Sequence, residues 1–197
     1  MGFTFFEVKD SDTLEKVFEF RYKILLEIYP EYIECLSFVD KKEYDKYDKY
    51  SVNFAAKDEN NDICASVRLI HNSPFGYPTE NSMTFDKDMF DRDKLGEMSR
   101  IFVDSKYRNI KTTKIIIEEV KKFMYVKMME LGIEYTYGSL EKSFLRLLKM
   151  YKMNYSTIGN RQMHKHVGLR YPSILYTKQL GSDNPELIKL WEKQIEQ

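Results

Sequence analysis

The sequence predicts an α/β (α+β) fold: one domain, residues 1–197, with a mixed sheet and helices on both of its faces. Three observations carry this. Strand-like runs outnumber helical stretches, a meander of three strands precedes the first β-α-β unit, and no G-x-G-x-x-G occurs. The last two exclude the strict alternation of a dinucleotide-binding fold. At 197 residues with 43% apolar side chains, the chain can fill one substantial core. Only 8 Gly and 5 Pro are present, which excludes low-complexity repeats and flexible linkers.

Phe3 to Val8 is a short apolar run and the expected first strand. Asp12 with Glu15 reads as a capping-box start for a helix that places Leu14, Val17, Phe18, Leu25 and Ile28 on one face. Arg21 falls on that apolar stripe, so it needs a carboxylate or a ligand nearby. Residues 29–50 read as loop with a short helix. Ser51 to Lys57 and Ile63 to Ile70 are strands joined by the polar turn 58–62, with Arg68 on the face opposite Val67 and Leu69. Residues 71–94 form a connection long enough to be functional or mobile. Strands follow at Leu95 to Val103 and Ile133 to Gly138, with a helix over 110–130 between them. Ser139 is the expected cap of a helix burying Leu140, Phe144, Leu147, Leu148 and Tyr151. Tyr155 to Ile158 and Ser173 to Thr177 are strands, and Asn184 to Glu196 is a terminal helix.

The 31 basic and 31 acidic residues cancel, which excludes binding of a polyanion by bulk charge. The charge is uneven: residues 1–62 hold 9 basic and 15 acidic side chains, residues 104–197 hold 17 and 10. The basic half is either ordinary solvated helix surface or a docking face for an acidic partner. No run of about 18 apolar residues is present, and the N-terminus lacks a basic segment followed by a long apolar one. A cytoplasmic protein with Cys35 and Cys64 as free thiols is expected. His164-Lys165-His166 lacks a neighbouring Cys or carboxylate, so no metal is expected.

Four motifs stand out: Phe20-Arg21, Glu43-Tyr44-Asp45-Lys46-Tyr47-Asp48, Arg68-Leu69, and Glu97-Met98-Ser99-Arg100-Ile101-Phe102-Val103. Their order and separation resemble the autoinducer (acyl-homoserine-lactone) synthase family, a branch of the Gcn5-related N-acyltransferase fold. The resemblance covers about residues 20–110. Farther on, Tyr137-Gly138-Ser139-Leu140-Glu141, Leu145-Arg146-Leu147-Leu148 and Gly168-Leu169-Arg170-Tyr171-Pro172 look more like long-chain N-acyl amino acid synthases, and exosortase-associated acyltransferases are also similar there. Autoinducer synthases usually carry a Trp soon after the first helix. Tyr29-Pro30-Glu31-Tyr32 has none, which weighs against S-adenosylmethionine as the amine donor.

The resemblance implies attack of an amine on a thioester, with Glu97 as the base. It implies substrate-binding roles for Arg21, Asp45, Asp48, Arg68, Ser99 and Arg100, for which a buried ion network is the competing reading. It also implies a β-bulge in the strand of Glu97, where a backbone N–H meets the oxyanion. Phe102, Val103, Arg108, Lys111, Thr112 and Phe144 would meet the acyl donor. Acetyltransferases of this fold carry glycines that bring backbone N–H groups to the coenzyme A pyrophosphate. Here Arg108 is kept, but Lys111 and Thr113 stand where the small residues would be. The implied donor is therefore acyl-phosphopantetheine on acyl carrier protein, with no permanently bound cofactor. Residues 104–127 hold 7 basic and 3 acidic side chains, and Lys111, Lys114 and Lys121 are the expected docking lysines for that acidic carrier. The alternatives are an acyl-homoserine-lactone synthase using S-adenosylmethionine, an acetyl-coenzyme A acetyltransferase, and a non-catalytic acyl sensor on the same fold.

Overall fold

The computed structural model describes residues 2–31, 33, 40–164 and 167–196. Cys35 and the Lys165-His166 pair of the histidine motif lie outside the described residues. The elements are β1 Thr4–Glu7, α1 Ser11–Ile28, β2 Ser51–Lys57, β3 Ile63–His71, α2 Pro78–Ser82, β4 Leu95–Val103, α3 Ile110–Glu130, β5 Tyr135–Leu140, α4 Lys142–Met150, β6 Ser156–Thr157, β7 Gln162–His164, β8 Gly168–Tyr176, α5 Thr177–Asp183 and α6 Pro185–Ile195. The strands form one mixed sheet in the order β1-β2-β3-β4-β5-β8-β6, with β7 added on β8. Among the described residues, only β4 and β5 run parallel.

Local chemistry explains most of the boundaries. Asp10, rather than Asp12, caps α1: its carboxylate accepts the Thr13 N–H at 2.8 Å. Asn109 caps α3 in the same way through the Thr112 N–H at 3.1 Å. The predicted cap at Ser139 is wrong by two residues. Ser139 and Leu140 stay in β5, paired with Pro172 and Tyr171 of β8, and Glu141 is the N-cap of α4. Long-range pairing with β8 holds those residues extended against their helical pattern. The 71–94 connection contains the short helix α2, entered through Pro78 at its first turn. The sequence pattern also missed β7 and α5, both short and without strong periodicity.

The two sheet faces differ. On one, Phe54, Val67, Leu69 and Met98 pack against Ile117, Met124 and Met128 of α3. Each of these buried side chains contributes about 1.5–3 kcal/mol relative to exposure. On the other face Arg68 and Glu97 are buried polar groups among Ile70, Tyr77, Leu95 and Tyr137. The α1 helix covers part of that face and buries Arg21 with it. The buried charges therefore collect on one side of the central strands.

Candidate active site

A cleft opens because β4 and β5 pair over only three positions, Leu95–Tyr135, Gly96–Thr136 and Glu97–Tyr137. Beyond Glu97 the strands part. On its other edge β4 slips register against β3: Arg68 pairs with Ser99 but Ser66 with Phe102, so Arg100 and Ile101 both stand opposite Val67. This is a β-bulge where the resemblance implied one. Arg100 takes φ +53°, a left-handed conformation that costs a non-glycine residue about 1–3 kcal/mol. Its guanidinium bonds to Glu43 offset that cost, and its carbonyl accepts the Ser66 hydroxyl at 3.3 Å.

Glu97 sits at the vertex of the cleft, 2% exposed. One carboxylate oxygen accepts the Thr79 N–H at 2.9 Å, and the other accepts the Thr79 hydroxyl at 2.9 Å. Thr79 belongs to α2, so the long connection reaches back to hold this side chain. Burial drives the Glu97 carboxyl up to about 7, against the opposing pull of the Thr79 donors and of Arg68. The group can thus take or lose a proton near neutral pH.

The other motif residues assemble into a buried network of three arginines and three carboxylates. Arg21 donates to Glu43 at 2.6 Å and to Asp48 at 2.8 Å. Arg68 donates to Asp45 at 2.7 Å, Asp48 at 2.8 Å and the Ser99 hydroxyl at 3.0 Å. Arg100 donates to Glu43 at 2.7 Å and Asp45 at 3.3 Å. The formal charges cancel. Burial alone would raise the Glu43 carboxyl, but Arg100 and Arg21 outweigh it and hold it well below the usual carboxylate range. Asp48 is lowered in the same way, by Arg68 and Arg21 against burial.

This geometry separates the predicted substrate-binding residues. Glu97, Ser99 and Arg100 line a cavity of about 770 Å³, whereas Arg21, Asp45, Asp48 and Arg68 are not among its lining residues. Arg21 and Arg68 are fully buried, and each already donates to two carboxylates. They tie α1 and the 43–48 segment to the sheet, so the network reading replaces substrate contact for them. Glu43, central to this network, has no distinguishing mark within its charged motif.

The cavity continues into an apolar chamber of about 300 Å³ through shared walls that include Ile101, Phe102, Arg108 and Phe144. Val103, Ile116, Ile117 and Met153 line the inner chamber. Of the expected donor contacts, Phe102, Val103, Arg108 and Phe144 thus line one or both cavities. Lys111 and Thr112 line neither cavity. Thr112 is buried in the capped first turn of α3, and Thr113 is the residue that faces the inner chamber. Lys121 is no docking lysine. It is buried, donating to the Asn184 side chain at 2.7 Å and the Tyr151 carbonyl at 3.1 Å, which anchors the start of α6. Arg108 bonds the Val103 carbonyl at 2.8 Å and Glu27 at 3.2 Å.

Thr79, Tyr29, Ser139, Glu141 and Arg170 also belong to the site, and sequence reasoning assigned none of them a role there. Thr79 had a signal in the Pro78 helix start within a long connection, and Ser139, Glu141 and Arg170 stand in the segments that resemble N-acyl amino acid synthases. Cys64 is fully buried and burial pushes its thiol up to about 12, so it is no nucleophile near neutral pH. Among the described residues no group of three or more His, Cys, Asp or Glu side chains is placed to hold a metal ion, and no helix is long and apolar enough to cross a membrane.

A splayed central strand pair, a bulge and a buried titratable carboxylate at the vertex define a cleft of the acyltransferase type. The chain belongs to the acetyltransferase (GNAT) domain family, which matches residues 20–118, and it is an acyltransferase. Its fold is similar to that of BjaI, a CoA-dependent acyl-homoserine lactone synthase solved with SAM and isopentyl-CoA: TM-score 0.69, 17% identity, 94% of this chain and 90% of that one covered. LasI, an acyl-homoserine lactone synthase, is similar at TM-score 0.65 and 12% identity, covering 88% of each chain. FeeM, an N-acyl amino acid synthase from uncultured soil microbes, is similar at TM-score 0.62 and 11% identity, with 92% and 94% covered. Comparison with curated proteins finds no significant sequence match.

Proposed function

We propose that the protein, as a single domain in the cytoplasm, transfers a fatty acyl chain from acyl carrier protein to the amine of an amino acid or related small molecule. The observation that carries this reading is Glu97: a buried carboxyl, ionisable near pH 7, in a polar cavity contiguous with an apolar chamber. The Glu97 carboxylate takes a proton from the acceptor's ammonium group. The free amine attacks the thioester carbonyl, whose oxygen turns toward the backbone N–H groups at the Arg100–Ile101 bulge. Collapse of the tetrahedral intermediate breaks the C–S bond, and the pantetheine sulfur leaves as the thiol with the proton that the attacking nitrogen gives up. The acyl tail extends along Phe102 and Phe144 into the inner chamber. Mass spectrometry of lipids from a bacterium expressing the protein tests the reading directly. N-acylated amines absent from cells expressing Glu97→Gln support it, and identical lipid extracts refute it.

Three features support a carrier-protein donor. The small residues expected over a pyrophosphate are replaced by Lys111 and Thr113. The Asn109 side chain already takes the Thr112 N–H that a pyrophosphate would use. Lys111 and Lys114 are exposed, and Ile110 beside them is 90% exposed. Charge reversal at Lys111 and Lys114 is expected to lower kcat/KM with acyl carrier protein by about tenfold at low salt and to weaken its salt dependence. Reaction with a short acyl-pantetheine thioester should stay within twofold. Acyl-coenzyme A working as well as the carrier, and equally affected by the reversals, would refute carrier docking.

The likeness to BjaI and LasI favours a second reading, lactone synthesis from S-adenosylmethionine. Release of an acyl-homoserine lactone with methylthioadenosine would establish it. A non-catalytic sensor fits less well, because a buried carboxyl held near neutrality destabilises the fold without serving ligand binding.

The hydrogen bonds of Thr79 lower the Glu97 carboxyl against burial. Thr79→Val keeps the N–H and removes the hydroxyl donor. The acidic limb of the kcat/KM profile, which rises as Glu97 ionises, should then move about half a pH unit or more higher. An unmoved profile would detach that limb from Glu97.

A further inference from the structure

The cavity contains a second polar cluster, set apart from Glu97 along β5. Glu97 pairs in register with Tyr137, and the β5–β8 register runs through Ser139–Pro172 and Leu140–Tyr171, which brings Arg170 level with Glu141. Residues 137 and 139 are alternate positions of β5 and share a face, and Glu141, just past the strand's end, lines the same cavity as Ser139. Four residues at roughly 3.3 Å each set Glu97 and Arg170 about 13 Å apart along the strand, so a small zwitterion lying between these two long side chains can touch both. Midway, the Ser139 hydroxyl is buried without a hydrogen-bond partner in the protein, and Ser139 lines the same cavity.

Arg170 is itself built in. Its side chain is 10% exposed, and its guanidinium donates to the Tyr29 hydroxyl at 2.7 Å and the Leu169 carbonyl at 3.1 Å. Gly168, at φ +85°, starts the strand that delivers it. Its carboxylate partner, Glu141 at 2.9 Å, is 45% exposed. The other arginines on the cavity wall differ. Arg100 is held by Glu43, which is 1% exposed, while Arg108 is 37% exposed and pairs with Glu27 at the rim. Arg170 thus combines a buried guanidinium with a carboxylate that can swing out to water. A buried guanidinium needs a carboxylate at all times, and exchanging one for another leaves the charge unchanged.

We propose that Arg170, with Tyr29, is the seat for the carboxylate of the acceptor, and that Glu141 fills this seat when no acceptor is bound. The proposal rests on the acyl-transfer reading above and narrows the acceptor to amines that carry a carboxylate. The acceptor's amine lies at Glu97, its carboxylate at Arg170, and the Ser139 hydroxyl meets the polar atoms between them.

The test compares free amino acids with the corresponding amino acid amides as acceptors, under one acyl donor. Wild type should favour the acids by about tenfold or more in kcat/KM. Arg170→Met should lower kcat/KM for the acids by about 10- to 100-fold, chiefly through KM, the range for losing a charged hydrogen bond, and leave the amides within threefold. Arg170→Lys should recover part of the loss. Glu141→Gln, which vacates the seat, should lower KM for the acids severalfold and leave the amides unchanged. Equal use of acids and amides by wild type, or an Arg170→Met variant that slows both alike, overturns the proposal while acyl transfer itself stands. Should Arg170→Met not fold, an unchanged KM for acids in Glu141→Gln overturns it. Acylation of neither acceptor class, with either acyl carrier protein or coenzyme A as donor, refutes the acyl-transfer reading instead and removes the ground for the proposal.

Discussion

Glu97→Gln is expected to lower turnover by about 10²-fold or more and, at the same time, to raise the stability of the protein above neutral pH. The first effect is the loss of a general base. The second follows from linkage. The Glu97 carboxyl lies at about 7 in the folded chain against 4.5 as its ordinary value. Between these values the folded state holds a proton that the unfolded state has lost, so stability falls as pH rises from 4.5 to about 7. A displacement of that size is worth about 3 kcal/mol above neutrality. Glutamine removes that term and still accepts the Thr79 N–H. Melting curves of both proteins at pH 5 and pH 8 measure it: the gap in favour of the variant should appear at pH 8 and close at pH 5. A variant that is inactive and equally destabilised at both pH values would mean that Glu97 serves packing rather than proton transfer.

Arg68→Met should cost about 3–5 kcal/mol of stability, the typical result of removing one partner from a buried ion pair. Arg68 bridges Asp45, Asp48 and Ser99 while fully buried, so its loss leaves Asp45 with Arg100 as its one arginine and Asp48 with Arg21 as its one arginine. A fall of about 10 °C in Tm fits a chain of this size. Because Glu43 and Asp48 are held below their ordinary values, the network's contribution is present above about pH 4.5 and is lost as pH falls through their lowered values. Wild type should therefore lose stability steeply in acid, and Arg68→Met less steeply. An unchanged Tm would show that the network does not bind the N-terminal part to the sheet.

Much of the frame was legible from local pattern. Leu95–Val103 and Ile110–Glu130 match the expected boundaries, since an alternating run and a capped 3.6-residue period are properties of short windows. Arg21 on an apolar stripe announced its carboxylate partners in advance. The failures lie where distant chain decides. Ser139 and Leu140 carry a helical signal that pairing with β8 overrides, and Lys121, basic in a basic segment, is drawn inside by Asn184, the residue that precedes α6.

By itself, the sequence determined the class of fold, the order of its main elements and the charge contrast between its halves. These depend on spacing, periodicity and residue type, which need no knowledge of neighbours in space. Only the tertiary structure decided which motif residues face the cavity and which are sealed behind it, that Thr79 holds Glu97, and that Tyr29, Glu141 and Arg170 meet across 141 positions of chain. The physical reason is desolvation. Whether a carboxylate is a base near neutrality or half of an ion pair depends on how much water and which charges surround it, and those surroundings exist only once the strands have paired.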